Sequence, residues 1–534
     1  MISSANLSVG NVALAVGALA AYWAANKLAR SVWHRLTTPL RHLPGPKSES
    51  FIWGNLRAIF KADNSVIHEQ WVKEYGKTFR YHAFLGQYRF FSTDTRAIGH
   101  ILNNTQVWVK PELMRNSLAA ILGEGVLFTE GEQHRKQRRI MNPAFGIAQT
   151  RELTDIFLEK SAELRDVWRA KVAEGGGSAE VDALSWLSKA TLDIIGLAGF
   201  DYHFNALKDQ SNELSDAFGA VFSTSQQFRL LNFLRNVIPV LRWLPNKQQR
   251  KTDEARAVMD RIGMELITEK KRAIRAGESK SVGRDLLTLL IRANMDKDVP
   301  PHLRLSDEEV LGQVPTFLVA GHETTASTTT WCFYALSQHL DVQAKLREEL
   351  LAVPTDNPTM DDLNALPYLD AVVRETMRVY SVVGSTVRVA AQDDVVPLAT
   401  PIVDRKGRTV HEVNIKKGDS IFVPILALNR AEDIWGEDAR EFRPERWLSV
   451  PDKANSIPGV FAGLMTFIGG PRSCIGYRFA VIEFKALLFH LVRAFKVELA
   501  VPVEQIASRS SIVTRPVLKT NDTNVLPIIL TPVE

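Results

Sequence analysis

Ten residues near the C-terminus constrain this chain most: Phe467-Ile468-Gly469-Gly470-Pro471-Arg472-Ser473-Cys474-Ile475-Gly476. A helix-period apolar run opens directly after them at Tyr477, so the cysteine stands at a helix start. There it meets the positive end of the helix and unpaired backbone N–H groups, both of which favour thiolate over thiol. A thiolate is a soft metal ligand. Gly469, Gly470 and Gly476 permit unusual backbone angles and the close approach of a flat macrocycle, and Arg472 can meet a carboxylate on such a ring. The other cysteine, Cys332, lies on a long helical run and reads as a small buried hydrophobe. Two thiols make no disulfide framework, which fits a body facing a reducing compartment.

A length of 534 residues suggests three domains at roughly 150 residues each. The pattern along the chain opposes that count, because it shows neither a repeat nor a long linker. With 45% hydrophobic and 23% charged residues the chain can bury one large core. Helix-period patterns dominate, at 150–172, 253–276, Pro367–Val379 and Tyr477–Ala494. Strand-like runs are fewer: 78–81, Tyr88–Ser92, Thr386–Ala390, Ser420–Val423 and 525–530. The expected class is therefore mainly α with minor β-sheets. The runs 174–178 (EGGGS) and 275–303 read as surface loops. Segment 228–244 mixes Phe, Leu, Ile, Val and Trp with Arg229, Arg235 and Arg242; it reads either as a buried helix pair or as an interfacial membrane contact.

No charged residue precedes Lys27, and residues 7–25 form a 19-residue apolar stretch broken by Ser8, Asn11, Tyr22 and Trp23. At helical rise this spans one bilayer core. Lys27, Arg30, Arg35, Arg41 and Lys47 all come before the first acid, Glu49, a bias that keeps this flank cytosolic and sends the amino terminus to the lumen. A cleaved signal peptide is the rival reading, but its positive charge would precede the apolar stretch. The expected division is a lumenal end and transmembrane anchor at 1–26, a basic flank and Pro44-Gly45-Pro46 hinge at 27–46, and a catalytic body at 47–534. The net charge of +5 admits an anionic membrane or an acidic protein as partner. No basic, aromatic-interleaved stripe accompanies it, which argues against nucleic acid.

Ser306 and Glu309 form a Ser-x-x-Glu capping box that should open a helix of about 30 residues, to near Leu340. Pro315 denies the Leu311 carbonyl its N–H partner. Ala320-Gly321-His322-Glu323-Thr324-Thr325 follows, a stretch that invites a local opening of the helix. Glu375 and Arg378 sit one turn apart on one face; such a pair in isolation is usually a solvated surface pair of little worth.

Phe467, Gly470, Arg472, Cys474 and Gly476 match the Phe-x-x-Gly-x-Arg-x-Cys-x-Gly haem-binding loop of the cytochromes P450, and the chain resembles that family from about residue 40 to 530. Residues 131–146 and the tail after 509 resemble fungal microsomal members. The resemblance implies the cytochrome P450 fold around haem b, with the Cys474 thiolate as axial iron ligand and electron donor toward O–O cleavage, a general property of haem-thiolate proteins. It places Ala320, Gly321, Glu323 and Thr324 across the opposite haem face: Gly321 leaves room for dioxygen, Thr324 hydrogen-bonds the bound oxygen and Glu323 gathers protons. It makes Arg138, Arg388 and Arg472 propionate partners. His134 stands where the family has a tryptophan. Glu375, Arg378 and Arg446 become a buried set that holds the haem loop. Val382 and Gly384 replace the family's usual prolines.

The implied reaction inserts one oxygen atom of O2 into a lipophilic substrate, a terpenoid, fatty acid or aromatic xenobiotic, with secondary metabolism favoured. No Gly-x-Gly-x-x-Gly fingerprint follows a strand, so electrons come from another chain. The resemblance points to an NADPH-cytochrome P450 reductase in the endoplasmic reticulum membrane, which uses NADPH on the enzyme's behalf. A haem-thiolate isomerase or peroxygenase would not need the Glu323–Thr324 pair. A haem carrier would more often use His or Met ligands.

Overall fold

Aromatic residues alternate along Thr78–His82 (β1) and Tyr88–Ser92 (β2), and the two segments fold back through a turn at Phe84–Gly86 into an antiparallel hairpin. Phe79 pairs with Phe91 and their buried rings stack at 4.5 Å, a cross-strand pair that fixes the register. Trp108–Val109 (β3) begins the next stretch of this sheet, and Ala179–Asp182 (β4) belongs to a different one. Thr386–Ala390 (β5) is followed by the hairpin Asp394–Val403 (β6) and Thr409–Ile415 (β7), then Ser420–Val423 (β8). The main sheet runs β1-β2-β8-β5-β3, with β2 and β8 parallel. Near the C-terminus come Phe495–Leu499 (β9), Ile506–Ser510 (β10), Thr514–Leu518 (β11) and Pro527–Pro532 (β12), which give a β4-β12-β9 sheet and a β10-β11 hairpin.

The computed structural model describes residues 9–210, 212–214, 217, 247–276, 284–510 and 513–533. Helices Val9–Thr37 (α1), Gly131–Met141 (α2), Ile147–Glu174 (α3), Ala183–Phe200 (α4), Lys247–Arg275 (α5), Leu286–Met295 (α6), Gln313–Gln338 (α7), Pro367–Val379 (α8) and Tyr477–Ala494 (α9) carry most of the body. At its centre α7 packs along α4, while α9 packs on α3 and against α7. Phe157 and Phe479 meet edge to face at 4.6 Å where α3 crosses α9. One continuous apolar core reaches from Leu40 to Leu530, as a mainly helical chain with small sheets requires.

Three expectations need correction. The stretch 275–303 is not all loop: Asp285 caps α6, whose Leu286, Leu287, Leu290 and Ile291 are buried. Its short apolar run, flanked by charge, carries too few turns for a clear period. The helix expected from Ser306 is two helices, Asp307–Leu311 and α7, broken at Gly312; the capping box is present and Pro315 has no N–H to return to Leu311. The turn at Ala320–Thr325 stays closed. Thr324 Oγ1 donates to the Ala320 carbonyl at 2.7 Å, and Thr328, Thr329 and Thr330 each bond four residues back in the same way. The Glu375–Arg378 pair is fully buried, as the resemblance implies and unlike an isolated pair at this spacing.

At the amino end α1 passes residue 26 without a break and stops at Thr37, ahead of the turn Pro39–His42. Pro44 accepts a bond from the Arg80 N–H at 2.9 Å, so the Pro-Gly-Pro segment lies against β1. Among the described residues no helix is long and apolar enough to cross a membrane. Segment 228–244 lies outside the described residues.

Candidate functional site

Gly470 has φ +74°, and a Cβ there would lie 2.6 Å from the Leu102 carbonyl, so the cysteine loop needs glycine at this point. The Ser473 N–H bonds Gly470 at 3.0 Å and the Cys474 N–H bonds Phe467 at 2.9 Å, winding the loop tightly just before α9. From α2, Arg138 Nη1 donates to the Ser473 carbonyl at 2.9 Å. The Phe467 ring packs against Phe461 and Tyr477. Cys474 keeps accessible surface although protein surrounds it. Burial pushes its thiol up, while the Gly476 N–H and Arg138 pull the other way. In the protein alone burial outweighs the helix-start effect expected from sequence.

The buried set behind the loop is continuous. Arg378 donates to both Glu375 oxygens at 2.8 Å, and Trp447 Nε1 donates to Glu375 at 3.0 Å. Arg446 Nε lies 3.5 Å from Glu375, and Arg446 also binds Asp438 and the Trp435 carbonyl at 2.8 Å. The chain of contacts then turns toward the cysteine. Arg378 donates to the Asn429 carbonyl, the Asn429 side chain bonds Thr466 and the Met465 N–H, and Thr466 Oγ1 donates to Met377. Thr466 immediately precedes Phe467. Asn429 and Thr466 were not singled out in the sequence, where neither belongs to a periodic or charged pattern.

Around the other flank of the loop the structure gathers positive charge. Arg472 is ion-paired with Glu130 and donates to the Thr129 carbonyl at 3.1 Å. Lys110 Nζ lies 3.0 Å from the same Glu130. Arg388 is buried and bonds Thr386 and the Val387 carbonyl; burial, then Arg472, brings it down to about 10. Burial, then Arg472, brings Lys110 down to about 8, with Glu130 opposing. His134, buried on α2, is pushed down to about 3 by burial, then Arg472, Lys110 and Arg138, so the imidazole is neutral near pH 7. Lys110, Arg138, Arg388 and Arg472 thus share a partly buried region in which, among the described residues, Glu130 is the carboxylate ion-paired with Lys110 and Arg472. Buried cations in such excess call for further anions. A ring bearing two carboxylates and an iron that takes a thiolate fits this donor set, and haem b has that chemistry. Lys110 and Glu130 escaped the sequence reading because their partners are distant along the chain.

Facing α9, helix α7 presents the second expected group. Glu323 is ion-paired with Arg515 of β11 and lies 3.4 Å from His322 Nε2. Burial would raise the Glu323 carboxyl, but His322 and Arg515 together hold it below the usual range. At Gly321 a Cβ would sit 2.7 Å from Ile195 of α4, so glycine is demanded there by helix packing, beyond any room it leaves for dioxygen. Glu483 of α9 is fully buried, among the described residues its oxygens have no hydrogen-bond partner at normal geometry, and burial pushes it well above the usual carboxylate range, with Thr325 of α7 opposing. Cys332 is buried and its thiol is pushed up to about 12 by burial, as a structural cysteine should be.

The cytochrome P450 family model matches residues 43–520. The chain is 53% identical to cytochrome P450 monooxygenase 205 of Postia placenta, over 96% of this chain and 95% of that protein. It is 51% identical to cytochrome P450 monooxygenase 128 of the same fungus, over 96% of each chain. Cytochrome P450 monooxygenase claP of Ampulloclitocybe clavipes is 38% identical, again over 96% of each. A wound cysteine loop, a cation-rich flank and relatives alike over nearly their whole length lead to one conclusion: the chain belongs to the cytochrome P450 family and is an oxidoreductase, a monooxygenase.

Proposed function

We propose that this monooxygenase inserts one oxygen atom of O2 into a lipophilic small molecule, a terpenoid or other secondary metabolite ahead of an aromatic xenobiotic. Its electrons come from NADPH through an NADPH-cytochrome P450 reductase. The observation that carries the reading is the accessible Cys474 beside Arg138, on a loop whose Arg472 flank gathers Lys110 and Arg388. Haem, when bound through that thiolate, supplies the oxygen-activating chemistry.

The chain's own groups then divide the work. Arg138, Arg388, Arg472 and Lys110 neutralise the ring's carboxylates, and neutral His134 donates one N–H among them. Thr324 has committed its hydroxyl proton to Ala320, so its lone pairs are the part free to accept a hydrogen bond at the reacting face. Glu323, held ionised by Arg515 and His322, takes protons from solvent and passes them inward on leaving Arg515. Residues 7–25, with the basic flank behind them, anchor the protein in the endoplasmic reticulum membrane with the body in the cytosol. Oxygen uptake with purified reductase, NADPH and a panel of lipophilic compounds tests the reading. Uptake and hydroxylated product should appear together; rearranged product without oxygen uptake would reject it.

A further inference from the structure

The last turns of α1 are fastened to the catalytic body. His34 Nε2 and Thr38 Oγ1 each reach the carboxylate of Asp419 at 2.8 Å, and Asp419 is buried. Gln87 bonds Ser31, and Arg35 lies over the Tyr88 ring. Beside this seam, between α1 and the turn after β7, runs a groove of about 700 Å³ lined by Ala29, Arg30, Trp33, His34, Thr37 and Lys416.

The groove is positive and without a counter-charge of its own. Arg30 bonds the amide oxygen of Asn26, and among the described residues neither Arg30 nor Lys416 has a carboxylate within ion-pair distance. The acid beside them, Asp419, is engaged by His34, Thr38 and the Lys416 backbone N–H. The surroundings add charge of the same sign. His42 is held below its usual range by burial, then Lys406, Arg41 and Arg408, against Asp404 alone. A large ring stands in the open beside these charges, Trp33 at 70% exposed, and Tyr22 is equally exposed further up α1. A free anion has no use for exposed rings, whereas a bilayer surface takes both features, rings at the headgroup level and cations against phosphate.

We propose that this groove binds the phosphate of an anionic phospholipid headgroup. Arg30 and Lys416 meet the phosphate oxygens and Trp33 lies at the level of the glycerol. Because His34 and Thr38 bolt the helix to the body, a lipid held here fixes how the catalytic body sits on the membrane. The proposal rests on the reading of residues 7–25 as a membrane anchor.

Full-length protein is floated with vesicles of phosphatidylcholine alone and of phosphatidylcholine with phosphatidylserine. Wild type should bind both, the anionic vesicles more strongly. At about 1 kcal/mol per cation near an anionic surface, R30Q/K416Q should lose the preference by about 30-fold and keep its binding to neutral vesicles. The charge-matched K297Q/K519Q, at residues that do not line the groove, should keep it. Equal loss in both double variants shows a general charge effect and overturns the site. Loss of the wild-type preference on adding inorganic phosphate at constant ionic strength shows a free-anion site and overturns the lipid assignment. An unchanged preference in R30Q/K416Q accompanied by weaker reductase coupling assigns the groove to an acidic protein instead. Wild type that floats with neither vesicle contradicts the anchor itself, and the headgroup site with it.

Discussion

Arg515 on β11 is ion-paired with Glu323 on α7, 192 residues away in sequence. The pair ties the C-terminal hairpin to α7, and Trp331 Nε1 reinforces it by donating to the Thr514 carbonyl at 3.0 Å. Burial pushes the Glu323 carboxyl up, and His322 with the Arg515 cation holds it below the usual range against that push.

Arg515→Gln removes that cation and leaves the burial, so the Glu323 pKa should rise. Wild-type Glu323, held below its unfolded value, contributes stability that is present above the unfolded pKa and lost as pH falls through the folded one. The variant should have a smaller contribution of this kind, and the acid limb of its pH–activity profile should move to higher pH. Arg515→Lys should restore most of the profile. An unmoved profile with lowered stability would make Arg515 a structural tie only.

Thr324→Ala should leave the cofactor and the substrate-induced spectral shift intact while separating NADPH consumption from product. Loss of a positioned acid–base group costs about a hundredfold or more. Hydrogen peroxide per NADPH should rise as hydroxylated product falls. Glu323→Gln should instead slow the whole cycle, because it limits proton supply. Wild-type coupling in Thr324→Ala would reduce this residue to its bond with Ala320.

Arg378→Met leaves Glu375 buried beside Arg446, with both guanidinium bonds from Arg378 gone while those from the Trp447 Nε1 and the Arg443 N–H remain. Breaking one partner out of a buried pair costs about 3–5 kcal/mol. Urea denaturation should show that loss, and the haem should dissociate faster, because Asn429 and Thr466 tie this set to the loop. A destabilised variant with an unchanged haem release rate would uncouple the set from the loop.

Glu483→Gln tests the neutral acid between α9 and α7. Its folded pKa is raised well above the unfolded value, so the wild-type fold binds an extra proton and loses stability as pH climbs from the unfolded pKa toward the folded one. The amide cannot ionise. The variant should be at least as stable as wild type at neutral pH, with an advantage that grows toward alkaline pH. A variant less stable at every pH would mean that Glu483 makes a bond an amide cannot replace.

The parts of the structure legible in the sequence are those with local causes. Pro367–Val379 and Tyr477–Ala494 show their bounds because a proline opens one, a glycine cap opens the other, and strong periodicity fills both. The hairpin β6–β7 was missed because Pro397 and Pro401 argue against a strand, and its register shift between Pro397 and Ile402 accommodates them. The cysteine loop announced itself through its own spacing. Glu130 gave no signal, since Arg472 lies 342 residues away, and Arg515 gave none for the same reason. Partnerships of that range are set by packing and leave no period to read.

The central claim, a Cys474 thiolate on haem iron, is tested most directly by the absorption of reduced, haem-loaded protein under carbon monoxide. Wild type should show the red-shifted band of a thiolate-ligated carbonyl, and Cys474→Ser should lose that band together with most of its haem. Folded, haem-loaded wild type without the band, or Cys474→Ser that retains it, would contradict the account.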